Sequence, residues 1–89
     1  MFARLLRILS GRRKPWAGIA NRNEVVYWEG TRRMTISGEM LSDGFQIYVA
    51  SIVSWDDSNG ELLDEVERQR VLQNVKRSLE AQGARVILS

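Results

Sequence analysis

The longest run of helical apolar spacing in this chain lies between Asp64 and Gly83, and its phase fixes where the helix begins. A helix drawn over residues 61–82 puts Leu62, Leu63 and Val66 on a different face from Val71, Leu72, Val75 and Leu79. Starting at Asp64 removes the conflict. Residues 71, 72, 75 and 79 then form one core-facing stripe, and Asp64-x-x-Glu67 reads as a capping-box-like start. The acids at 64, 65 and 67 also complement the helix dipole. Glu80-Ala81-Gln82-Gly83 ends the helix on a glycine cap, and Leu62 and Leu63 belong to the loop leading into it.

Three β-rich segments precede this helix: EVVYWEG (24–30), RRMTISGEML (32–41) and FQIYVASIVSW (45–55). Gly30-Thr31 and Ser42-Asp43-Gly44 are short turns between them, which predicts a three-stranded antiparallel meander. Phe45, Ile47 and Val49 alternate onto one face, Met34 and Ile36 point one way, and Gly38 suggests a bulge. Trp55 closes the β region, and RVIL at 85–88 reads as a final strand.

Before the core, FARLLRIL (2–9) spaces Phe2, Leu5, Leu6 and Leu9 as a short amphipathic helix, with Arg4 and Arg7 off the stripe. GRRKP (11–15) reads as a basic linker, and Trp16-Ala17-Gly18 shows no clear periodicity, so the core is expected near Asn23. The expected organisation is a basic helix and linker over 1–22, then one domain over 23–89. Its class is α+β: a short N-terminal helix, the meander, one long helix and a C-terminal strand. The arginine-interrupted run is neither a signal peptide nor a membrane span, so a cytoplasmic location is expected. One two-turn anchor gives marginal membrane affinity, and this helix is expected against the domain or a partner.

At 89 residues the chain fits a single domain, and one this small buries a modest fraction of its surface, leaving room for a partner to bury more. It has no cysteine and no histidine. Disulfides, thiolate nucleophiles, the usual zinc ligands and the usual general base are therefore excluded, and neither enzyme activity nor a cofactor is expected. Residues 1–33 hold eight Lys/Arg against Glu24 and Glu29, whereas residues 34–89 hold five against nine acids. Such asymmetry suggests two surfaces of opposite sign.

Acid is densest in WDDSNGELLDEVERQR (55–70), where six carboxylates come before the first arginine. Asp57-Ser58-Asn59-Gly60 matches the middle of a calcium loop, but that register puts Trp55 and Val66 at two ligand positions, so no metal site is expected. Glu29 and Glu39 could converge as a carboxylate pair if their strands pair, though exposed strand carboxylates are common. The helix start accounts for Asp64, Glu65 and Glu67. Solvation of a turn is the plain reading of Asp56 and Asp57, but with Glu61 they form surplus acid in a long loop, where recognition surfaces are commonly built.

The segments TISGEML, GFQIYVASIVSW and ERQRVLQNVKRSLEAQG, followed by a short strand, resemble the bacterial polymorphic-toxin immunity family called immunity protein 74. The resemblance covers about residues 24–88 and rests on Ile36-x-Gly38-Glu39, Gly44-Phe45, Trp55, and Glu67-Arg68 followed by aliphatics at 71, 72 and 75. It implies a small cytoplasmic α+β protein that binds and neutralises a cognate toxin domain, with no catalytic residues to carry over. Residues 1–22 do not match the family pattern.

The leading expectation is a non-enzymatic inhibitor whose partner-binding residues are Trp55, Asp56, Asp57, Glu61 and Trp28, the acids facing a basic cleft and the tryptophans serving as anchors. The alternative is a small RNA- or DNA-binding module in which Arg12, Arg13, Lys14, Arg32 and Arg33 meet phosphate while Trp16, Trp28 and Tyr27 stack on bases. A double-stranded-RNA-binding mode fits poorly, because the long helix starts DEVE rather than with basic residues.

Overall fold

A computed structural model describes residues 15–89. Strands β1 (Trp16–Asn21), β2 (Glu24–Glu29), β3 (Arg32–Leu41) and β4 (Gly44–Ile47) come first, then a 3-10 turn (Val49–Ser51), helix α1 (Glu65–Ala81) and β5 (Val86–Leu88). The strands form one sheet in sequence order. Neighbours are antiparallel except β4 and β5, which run parallel across the α1 crossover. The α+β class holds, with five strands in place of the expected four. The helix expected over residues 2–9, together with Arg12, Arg13 and Lys14, lies outside the described residues.

Two expectations change. Trp16–Asn21, read as aperiodic sequence ahead of the core, is the edge strand β1. Its alternation is hidden because the inward residue is Ala17 and an outward one is Gly18, too small to register as a hydrophobic pattern. What recruits it is pairing with β2, where Trp16 faces Trp28 and Ala17 faces Tyr27. Its outer edge is closed from α1: the Ala17 N–H donates to Ser78 Oγ at 2.9 Å, and Gln82 Nε2 donates to the Ala17 carbonyl at 2.7 Å. An edge blocked this way is a poor template for another strand.

The second change concerns residues 45–55, expected as one long strand. Only Gly44–Ile47 is strand; the chain then turns, with Ser51 Oγ donating to the Tyr48 carbonyl at 2.7 Å, and drives Ile52 and Trp55 into the core. Past Ile47 the Tyr48 N–H still donates to the Ser37 carbonyl and the Val49 N–H to the Ser89 carbonyl, and the chain then leaves the sheet to reach the helix.

Helix α1 follows its sequence signals closely. Asp64 is the N-cap, its carboxylate accepting from Glu67 N–H at 2.8 Å, and Val71, Leu72, Val75 and Leu79 are its buried residues. Glu67 does not complete the capping box, because its carboxylate turns to Arg70 instead. At the other end Gly83 takes φ +95°, and its N–H and that of Ala84 return to the carbonyls of Glu80 and Leu79. These are the two hydrogen bonds of a Schellman cap, which needs a left-handed residue at that position.

The stripe packs on one face of the sheet, over Ala17, Val25, Tyr27, Met34, Ile36, Phe45 and Ile47, with Ile52 and Trp55 completing the core. Gly38 in β3 is a close-approach position. A Cβ there would collide with the Gln46 carbonyl and the Phe45 ring.

Candidate functional site

The acidic loop runs along the edge of β3 and onto the start of α1. β3 pairs with β2 on one side through Ser37, but with β4 only from Gly38 onward. This leaves the other edge of residues 33–37 without a strand, and the loop supplies the missing bonds. Asp56 N–H donates to the Arg33 carbonyl at 2.8 Å, and the Asp56 carboxylate accepts from Thr35 N–H at 3.1 Å and Thr35 Oγ1 at 2.9 Å. Ser51 Oγ accepts from Ser37 N–H at 3.0 Å. Side chains thus stand in for a neighbouring strand.

Asp56, read as surplus acid, is therefore occupied with the fold. Arg33 Nε approaches it at 3.7 Å, and Arg32 pairs with Asp57 at 3.4 Å. The arginines of the expected basic surface and the acids of the expected acidic one meet and pair. Both pairs are solvated, and such pairs contribute little to stability.

Trp55 is 5% exposed, its ring stacked on Tyr27 with centroids 6.0 Å apart and covered by the Arg32 guanidinium at 4.6 Å. It is part of the core floor. Trp28 lies on the opposite, outer face of the sheet, with Arg33 5.7 Å over its ring and Trp16 directly across the strand pair. The Trp16 indole lies across Gly18, which leaves room for it.

Where the loop meets the helix, an open cleft of about 230 Å³ is lined by Arg32, Trp55, Ser58, Glu61, Leu62, Leu63, Asp64 and Glu67. Three carboxylates face one guanidinium there, with the Asp57 partner of Arg32 at the rim. Bonds from Arg70 hold the Glu67 carboxyl below its usual range, against the opposing effect of partial burial. Both oxygens of this carboxylate are taken by Arg70, so the cation that keeps Glu67 charged belongs to the fold itself.

Behind the cleft lies a network that the sequence did not reveal. Arg70 reaches Glu67 at 2.7 Å and Glu29 at 2.7 Å; Tyr27 donates to Glu29 at 3.1 Å and accepts from Asn74 Nδ2 at 3.0 Å. Burial, the leading cause, pushes the Tyr27 hydroxyl up to about 12. Only Arg70–Glu67 has the helical spacing that could have announced it. Glu29 and Glu39 do not converge: Glu29 faces Arg32 at the hairpin turn, whereas Glu39 faces Gln46 seven residues along β3 from Arg32.

The sequence matches the family model described as Immunity protein 74 over residues 19–89, which takes in the last part of β1 and everything after it. The chain belongs to that family. No curated protein and no solved structure matches it. The match begins earlier than residue 24, in keeping with β1 being part of the sheet. Membership points to an immunity protein acting against a toxin.

Proposed function

We propose that this Immunity protein 74 member neutralises a cognate bacterial toxin domain in the cytoplasm by presenting the acidic loop and cleft to a basic surface of the toxin. The observation that carries this reading is the charge of the cleft: Glu61, Asp64 and Glu67 line it with Arg32 as the one cation of the lining, and only Glu67 is also bound by Arg70 from outside it. A surface of this sign speeds encounter with a basic partner and disfavours partners of like charge. Asp57 and Glu61 carry the contact, since Asp56 is bound to β3 and Asp64 caps the helix.

The test uses the toxin domain that the family resemblance implies is encoded beside this protein. Co-expression should restore growth of toxin-producing cells, and the two should co-purify. Asp57→Asn combined with Glu61→Gln should slow association and flatten its dependence on salt, while leaving the fold intact. Unchanged association rate, affinity and salt dependence in that double variant would remove the acidic surface from the interface.

A further inference from the structure

Charge steers a partner but does not by itself retain it, so lasting affinity requires apolar side chains that lose water on binding. Trp55 is in the core and Trp28 is on the outer face, away from the cleft. Among the exposed large hydrophobics of the described residues, Leu62 at 73% and Val66 at 80% stand apart, the others lying between 37% and 48%. Both flank the N-cap Asp64, and Leu62 lines the acidic cleft.

Neither residue contributes to the core. Val66 sits in the first turn of α1, off the buried stripe of Val71, Leu72, Val75 and Leu79, at a position where a β-branched residue has no helical advantage. Leu62 extends from a loop whose neighbour Leu63 is the one that packs against the core, anchored by its N–H to the Val53 carbonyl at 2.8 Å. These two aliphatics, one on each side of the N-cap, are interleaved in the chain with Glu61, Asp64, Glu65 and Glu67, of which Glu65 and Glu67 pair with Arg68 and Arg70, so the exposed apolar side chains sit in a segment of net negative charge.

Resting on the toxin-binding reading above, we infer that Leu62 and Val66 are the apolar anchors of the toxin interface, and that the toxin offers them an apolar socket bordered by lysine or arginine. The complementary charge identifies this occupant. A second copy of the chain would bring the same carboxylates against each other, and a nucleic acid would bring phosphates against them. Anchors and acids divide the kinetics between them: the aliphatics slow dissociation, and the acids speed association.

The experiment measures association and dissociation of the full chain with the toxin domain encoded beside it, across salt concentrations, for Leu62→Ser, Val66→Ser and the Asp57→Asn/Glu61→Gln pair. Each aliphatic variant should keep the parent melting temperature and dissociate about tenfold faster at every salt concentration. The acidic pair should alter the association rate and its salt slope. Aliphatic variants with the parent dissociation rate, alongside a weakened acidic pair, would overturn the anchors and leave the acidic interface standing. Parent behaviour in all of them would overturn both.

Discussion

The carboxylate of Asp56 accepts both the backbone N–H and the hydroxyl of Thr35, at 3.1 and 2.9 Å, across 21 residues of sequence. An acid that sequence alone leaves to solvent or a partner is thereby a substitute for a sheet neighbour.

Asp56→Ala should cost about 1–2 kcal/mol, the range for a hydrogen-bonding group removed from partners that water can partly reach. Asp57→Asn, which loses only a solvated pair with Arg32, should stay within about 0.5 kcal/mol. Urea unfolding checks both. A lowered midpoint at unchanged slope is the expected result for the first, and equal midpoints for the two variants would contradict the difference in roles.

Glu29 and Arg70 should show energetic coupling. Arg70 bridges the helix and β2 through Glu67 and Glu29, but these side chains are about a third exposed, so solvent screens the pair. A double-mutant cycle with Glu29→Gln and Arg70→Gln should return a coupling of about 0.5–1 kcal/mol. Simple additivity would mean that the bridge contributes nothing.

Tyr27 gives stability a dependence on alkaline pH. Its hydroxyl ionises near 10 in the unfolded chain and at about 12 in the folded one, so below 10 both states are protonated and its contribution is fully present. As pH rises from 10 toward 12 the unfolded chain releases the proton first, and stability falls by about 2–3 kcal/mol at most. Denaturant midpoints measured in a Tyr48→Phe background should show this decline, and Tyr27→Phe should abolish it. Glu67 acts at the other end: its lowered value supplies stability above the ordinary glutamate range that is lost as pH falls through the folded value.

Two glycines should respond differently to alanine. Gly38→Ala places a methyl against the Gln46 carbonyl and the Phe45 ring, backbone and core that cannot yield cheaply, and should cost about 3 kcal/mol or more. Gly83→Ala meets nothing within 4 Å but must hold φ near +95°, which should cost about 1 kcal/mol. Calorimetry on both variants distinguishes collision from conformational strain.

Features governed by near neighbours in the chain were legible in the sequence. The register of α1, its Asp64 cap, its buried residues and its Gly83 terminus all follow from contacts three to five residues apart, which a 3.6-residue period and a left-handed cap report directly. The Phe45 and Ile47 alternation and the Gly30-Thr31 hairpin were readable for the same reason. Tertiary structure alone decided that WAGIAN is a strand, that β5 runs parallel to β4, that Trp55 lies under Arg32, and that Asp56 and Asp57 meet Arg33 and Arg32. The first depends on a partner strand within 12 residues and on bonds from α1 more than 60 residues away, the others on groups brought together across 20 or more residues, and an acid's sequence neighbours carry no record of which distant N–H or guanidinium will meet it. Leu62 and Val66 fall between the two: the sequence put them off the helical stripe, and only the packed fold left them exposed beside the acids.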